Sequence, residues 1–312
     1  MTVVLNINKI KNVKYSLDMK LEPECVGCIF NQVLRAFNLV RPGIPHEVII
    51  SAQKKLMAFL LNFDENANAA PIFGKVAYGI ISEMLNDKDP YRTLKQESNK
   101  LALGLYEKAK EIIDKADDPL FEAIIVAALG NTIDFAGQHQ INLISDIKNF
   151  TSEDLVINDY TSFKKSLENA KHLLIIGDNA GEIVFDKLLV LTLKDLYPDL
   201  EIVYSVRSAP IINDATIEDA KYINLTDLVQ VIESSAAPGV ELTSSTKEFK
   251  KLFFRKDGVI LSKGQGNFES LYGIEIPDKD VYYLLKAKCN LMERIFDVKI
   301  GDLIFKKKIQ GF

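Results

Sequence analysis

The chain is 312 residues long, 47% hydrophobic and 26% charged, with a net charge of −5 and a pI near 5.4. That length predicts two domains rather than one, and the acidic balance, with no dense Lys/Arg run before Lys306-Lys307-Lys308, argues against nucleic acid as a partner. No stretch is apolar for long enough to span a membrane, Met1–Ser16 lacks the uninterrupted apolar run of a signal peptide, and three cysteines cannot form a disulfide framework, so a cytoplasmic protein is expected.

In chain order, the first half reads as helices. Pro23 opens a run with Cys25, Cys28, Ile29, Gln32, Val33, Ala36 and Phe37 at three-to-four spacing. The same pattern predicts helices over Pro45–Leu60, Ile72–Leu85, Tyr91–Ala116 and Pro119–Phe135, without a sequence repeat among them. Asp89-Pro90-Tyr91 reads as a helix opening with proline in its first turn, and Gly130-Asn131-Thr132-Ile133-Asp134 puts polar groups where core is expected. Between Asn149 and Lys164 the apolar pattern is diluted by Thr, Ser, Asn and Asp, which places the domain division at 1–155 and 156–312.

Beyond that point strands and amphipathic stretches alternate. Strands are expected at His172–Ile176, Ile202–Val206, Leu228–Ile232, Gly258–Leu261, Val281–Leu285 and Leu303–Phe305, with helices at Ala180–Leu193, Ala215–Tyr222 and Ser244–Phe254. The fold class is therefore α/β: a Rossmann-like, doubly wound, mostly parallel sheet preceded by an all-helical domain.

Ligands of such sheets bind at the carboxyl ends of the strands, and three polar sets meet there. They are Asp178, Asn179 and Glu182 after the first strand, Arg207, Ser208, Asn213 and Asp214 after the second, and Ser262-Lys263-Gly264-Gln265-Gly266-Asn267 after the fourth. Asp178, Asn179 and Asp214 offer the oxygen donors that a hard divalent cation prefers; magnesium and manganese suit them best, with cobalt or nickel also accommodated. Lys263 and Arg207 supply positive charge for a phosphate, which the start of the helix after Gly177 would also favour. Each piece taken alone has a plainer reading. Asp178-Asn179 fits a turn or helix cap as readily as a metal site, Asn213-Asp214 fits a cap to the helix after it, and Lys263–Gly266 fits a tight loop. Their convergence on one rim favours the site. Cys25-Val26-Gly27-Cys28 has the spacing of half a zinc site or a redox pair, yet no matching second half is found among Cys289, His46, His139 and His172, and buried thiols fit equally well.

Taken together, Glu24-Cys25-Val26-Gly27-Cys28 with Gln32, Asp89-Pro90-Tyr91 with Lys95, Gly130–Asp134, Gly177–Glu182 with Phe185-Asp186, Pro210–Asp214 and Lys263–Asn267 resemble the metal-dependent damage-control phosphatases, in their stand-alone microbial branch with paired N-terminal cysteines. The resemblance covers nearly the whole chain. It implies a divalent metal held at Asp178, Asn179 and Asp214, with Lys263 contacting substrate phosphate and Arg207 and Asn267 as neighbours. The expected activity is hydrolysis of small phosphomonoesters, either sugar phosphates or damaged phosphometabolites. Glu182, beside the metal ligands, is the candidate to orient or deprotonate the attacking water. The competing readings are an S-adenosylmethionine-dependent methyltransferase and a non-enzymatic metal- or metabolite-binding module. Ser205-Val206-Arg207 ends the second strand without the acidic residue that the methyltransferase requires for ribose. No feature of the sequence points to an oligomeric state.

Overall fold

The computed structural model describes residues 21–64, 70–130, 154–276 and 278–309. Five helices come first: α1 (Pro23–Val40), α2 (His46–Leu60), α3 (Ala70–Leu85), α4 (Arg92–Lys115) and α5 (Pro119–Gly130). Residues 131–134 of the Gly130–Asp134 motif lie outside the described residues, as does His139. β1 (Leu155–Asn158), α6 (Tyr160–Asn169), β2 (His172–Ile176), α7 (Glu182–Leu196), β3 (Glu201–Val206), α8 (Ile217–Tyr222) and β4 (Gln230–Glu233) follow. The chain ends with α9 (Lys247–Phe253), β5 (Gly258–Lys263), α10 (Gln265–Leu271), β6 (Asp280–Lys286), α11 (Asn290–Phe296) and β7 (Leu303–Lys307).

The seven strands form one sheet in the order β1-β7-β6-β5-β2-β3-β4, parallel throughout except where β6 meets β7. After β4 the chain crosses back to the far side of β2, so the winding reverses between β2 and β5. This is the mixed α/β, doubly wound class expected. Strand residues alternate between two apolar layers, as a pleated strand buried on both faces must. Leu173, Ile175, Tyr204, Leu261 and Tyr282 pack under α4, α5 and α7, while Leu174, Ile176, Ile260 and Tyr283 face Phe249, Phe253, Phe268 and Met292 of α9 to α11. A third cluster joins α1, α2 and α3 around Phe37, Leu56 and Phe73. Among the described residues no helix is long and apolar enough to cross a membrane.

Differences from the sequence reading have local causes. β1 is four residues long, half exposed and paired only at the sheet edge, which leaves it no apolar run to detect. Helices α10 and α11 span seven residues each, about two turns, too short to show a period. Pro90 lies two residues before α4 rather than in its first turn, and Asp89 beside it accepts an ion pair from Lys95 at 2.9 Å.

Candidate active site

The parallel strands bring the ends of β2, β3, β5 and β6 to one rim. Gly177 to Gly181, after β2, and Arg207 to Thr216, after β3, zip together beyond the sheet: Ala215 N–H donates to Asp178 O at 2.8 Å, Ala180 N–H to Asn213 O at 2.9 Å, and Asn179 bridges Asp214. Asp178, Asn179 and Asp214 are thereby set side by side. The second loop docks Ile211 into the cluster formed by α1 to α3, and Ile212 beside it holds φ at 46°, a left-handed conformation that a β-branched residue rarely adopts. Backbone strain of this kind is concentrated where side-chain placement matters.

Neither acidic motif acts as a helix cap. The N-cap of α7 is Gly181, at φ 81°, and that of α8 is Thr216, whose N–H and hydroxyl both donate to Asp219 at 2.8 Å. Asp214 instead accepts from Arg207 Nε at 2.6 Å, and Arg207 Nη2 lies 3.7 Å from Asp178 Oδ1. Arg207 Nη1 donates to Asn267 Oδ1 at 2.9 Å and Gly239 O at 3.1 Å, and the residue is only 1% exposed. Asn267 in turn donates to Gly177 O and Lys263 O at 3.0 and 2.8 Å, tying α10 to both strand ends. Gly264, at φ 79°, lies so close to Asp178 that a methyl group there would collide with its carboxylate.

Lys263 does not face the open rim. Its ammonium is fully buried, donating to Glu182 Oε1 at 2.5 Å, to Asp186 Oδ1 and to Ala127 O of α5 at 3.1 Å. Asp186 also accepts from Tyr204 Oη at 2.6 Å. Burial pushes the Glu182 carboxyl up to about 7 against the opposing pull of Lys263; Asp186 is raised for the same reason. Burial likewise raises Asp214 to about 7, with Arg207 and, less strongly, Lys288 pulling it down. The start of α7 is not open to an anion either: Gly181 N–H donates to Asn99 Oδ1 at 2.7 Å, and Glu182 occupies the first turn.

Asn99 is one of the residues the sequence reading missed. It sits on α4, 1% exposed, and its Nδ2 donates to Asp219 Oδ1 at 2.9 Å; Lys95 lies 2.9 Å from Asp89 and 3.7 Å from Asp219. This buried chain explains the Asp89–Lys95 motif: it fastens α4 to the loops at both strand ends. The usable signal was Asn99 four residues after Lys95, one helical turn along the same face.

Above the rim lies a cavity of about 700 Å³, walled by α1, α3 and α4 on one side and by Asp178, Asn179 and Asp214 on the other. Tyr78 and Tyr91 meet edge to face in its wall, with ring centroids 6.3 Å apart. Cys25, Cys28 and Cys289 line it as free thiols, and burial pushes Cys25 up to about 12, a protonated thiol rather than a nucleophile. Lys288, two residues past β6, is a second residue missed from sequence, because that strand end carries no acidic or glycine-rich signature.

An α/β sheet whose winding reverses at an acidic, oxygen-donating rim beneath a cavity defines a ligand site at the point where the strand order reverses. The comparisons identify the class: residues 21–304 match the damage-control phosphatase ARMT1-like domain, and the chain belongs to that family. It is 34% identical over 292 residues to a damage-control phosphatase of Pyrococcus horikoshii, spanning 92% of this chain and 97% of the relative, and 32% identical over 297 residues to one of Archaeoglobus fulgidus, spanning 92% and 99%. A crystal structure of a DUF89 family protein of Pyrococcus horikoshii superposes with a TM-score of 0.81 at 30% identity, covering 93% of this chain and all of that one. The family membership disfavours the methyltransferase and non-enzymatic readings.

Proposed function

We propose that this chain is a divalent-metal-dependent phosphatase that hydrolyses small phosphomonoesters, sugar phosphates or damaged phosphometabolites, with Asp178, Asn179 and Asp214 as its metal ligands. The observation that carries the reading is the orientation of Asn179. Its amide Nδ2 donates to Asp178 Oδ2 at 2.9 Å and to Glu182 Oε2 at 3.3 Å, which leaves the carbonyl oxygen for a cation beside two aspartates. Among the described residues no three His, Cys, Asp or Glu side chains form a ligand group by themselves, and the third donor of the proposed set is an amide. Oxygen donors of this type suit magnesium, manganese, cobalt or nickel.

When bound, the metal supplies Lewis-acid stabilisation of the phosphate oxygens and acidifies a water. The chain's own residues do the positioning. Glu182 orients the Asn179 amide and is itself held by Lys263, which makes it a positioning residue in this state; its carboxyl, near 7, is matched to proton transfer at neutral pH once a water reaches it. Arg207 holds Asp214 and lies near Asp178, so the two ligands do not repel one another apart before a cation arrives. Asn267 and Gly264 keep that arrangement close-packed. The apolar and aromatic wall of Tyr78, Tyr91 and Pro71 gives the organic part of the substrate a surface that excludes water.

The test is phosphate release from a panel of phosphomonoesters after chelation and readdition of one divalent metal at a time. Metal-dependent release that falls by about 10²-fold or more in Asp178→Asn is expected, as for loss of a charge-stabilising group. Full activity in that variant, or release without any metal, would sink the assignment.

A further inference from the structure

Four carboxyl groups line the cavity, and three of them have a cation at hand. Glu24 accepts from Arg294 Nη1 and Nη2 at 2.7 and 3.0 Å, Asp214 accepts from Arg207 Nε at 2.6 Å, and Asp178 lies 3.7 Å from Arg207 Nη2. The fourth, Glu269 of α10, has no cation partner among the described residues; burial pushes its carboxyl up to about 7, and a hydrogen bond from Gln265 is what opposes that rise.

Helix α10 fixes where this carboxyl stands. Gln265 and Glu269, one turn apart, both line the cavity, whereas Asn267 between them turns back to Gly177 O and Lys263 O. Gln265 Oε1 accepts the Lys288 N–H at 3.1 Å, which sets its amide nitrogen toward Glu269 Oε1 at 2.7 Å and Cys289 Sγ at 3.3 Å. Gln265 is thereby fully engaged, and Glu269 keeps its second oxygen for the cavity. Gly264, the N-cap of α10, lies against Asp178, and the helix rises roughly 7 Å from there to Glu269. A carbon chain a few atoms long, tethered by a phosphate at the metal loop, therefore reaches this carboxyl.

A half-buried carboxyl with a spare oxygen and no cation gains from any hydrogen-bond donor that a ligand brings. The rest of the wall decides which donor suits it. Arg35 and Lys288 line the same cavity, so an ammonium group would meet two like charges there, whereas a hydroxyl meets none. Cys25 and Cys28, on which the Glu269 charge acts, are both raised by burial and stay neutral thiols.

We propose that Glu269 is a specificity-determining residue that accepts hydrogen bonds from hydroxyl groups on the organic part of the substrate. The cavity then takes the phosphomonoester of a polyhydroxylated carbon chain in preference to that of an apolar or amino-bearing one. The proposal rests on the phosphatase reading and says which of its substrates the wall opposite the metal loop selects.

Calorimetric binding to the full-length, metal-loaded protein tests this without turnover, using phosphonate analogues that resist hydrolysis: pentitol and hexitol phosphonates, hexyl phosphonate and aminohexyl phosphonate. The best polyol ligand is expected to bind about tenfold or more tightly than hexyl phosphonate, as a site built to hydrogen-bond a hydroxyl discriminates against the analogue lacking it. Glu269→Leu is expected to abolish that preference while leaving the affinity for hexyl phosphonate unchanged, and Glu269→Gln, which still accepts a hydrogen bond, keeps part of it. Equal affinity of the wild type for polyol and hexyl ligands overturns the proposal, as does a preference for the aminohexyl ligand. A preference that survives Glu269→Leu overturns it, and so does an equal loss for both ligands in the two variants, which would make Glu269 a structural residue. Wild-type protein that binds none of the phosphonates overturns it too. A polyol preference that depends on Glu269, in a protein that hydrolyses no phosphomonoester with any metal, upholds this inference while sinking the phosphatase reading.

Discussion

Two ionic clusters share the end of the sheet and differ in one respect, access. Asp178 and Asp214, paired with the buried Arg207, line the cavity, whereas Glu182 and Asp186 with Lys263 do not and are packed between α5 and α7. In the sealed cluster every charge has a partner at hydrogen-bond distance and Tyr204 Oη satisfies a further oxygen. In the open cluster Arg207 Nη2 makes no hydrogen bond and sits 3.7 Å from its carboxylate. The complete set holds shape, and the incomplete one is where we propose the metal binds. Sequence type does not separate them, since each is two carboxylates and one cation; access to the cavity does.

The largest effect that would break this contrast is at Lys263. Lys263→Met leaves two buried carboxylates without their cation, and a loss of about 3–5 kcal/mol in unfolding free energy is expected by chemical denaturation. A loss below 1 kcal/mol would mean that the cluster is hydrated and able to exchange partners, like the open one. The next effect is smaller and more local. Asn99→Ala strands the Gly181 N–H and an oxygen of Asp219, at about 1–3 kcal/mol, and loosens the loop carrying Asp178 and Asn179. Metal affinity, read by a fluorescent competitor, should therefore drop in Asn99→Ala by more than in a core variant of equal destabilisation, such as Leu188→Ala. Equal drops would assign Asn99 to stability alone.

The alternation of strands and helices was legible because β2, β3, β5 and β6 are apolar on both faces and bounded by glycine, charge or turn residues. The rim was legible for the same reason: once the strands are parallel, their ends must meet, and Asp178, Asn179, Asp214 and Lys263 follow as neighbours. What could not be read was which charge faces which partner. Lys263 and Lys288 are both lysines at strand ends, and nothing in their local sequence tells that one is swallowed by α5 and α7 while the other stays exposed. That difference is set by Ala127 and Glu182, contacts 136 and 81 residues away along the chain. Asn99 was hidden similarly, its meaning lying in a glycine 82 residues further on. β1 and the short helices escaped because two turns or four residues carry too little period to stand out.

The smallest effect sharpens the comparison by pH. Glu182, Asp214 and Glu269 are all raised to about 7 by burial, so between pH 5 and 7 the folded metal-free protein holds protons that the unfolded chain has released. Stability from these groups is present at the acid side and lost as pH rises through that window. Among the described residues His172, at the start of β2 and lowered to about 4 by burial, opposes them there: it gains stability as the unfolded imidazole deprotonates. Above pH 7 Lys279, lowered to about 7 by burial, reverses the slope further. These carboxyls, joined by Asp186 raised for the same reason, outweigh one imidazole and give a Tm that falls modestly from pH 5 to 7 in chelated protein. A metal bound at the open cluster competes with the Asp214 proton and should remove that share of the slope, so the metal-induced rise in Tm grows with pH while the share from sealed Glu182 persists. A chelated Tm that is flat or rising across the window would show that the carboxyls are ionised throughout, and a metal-induced rise independent of pH would show that Asp214 releases no proton when the ion binds.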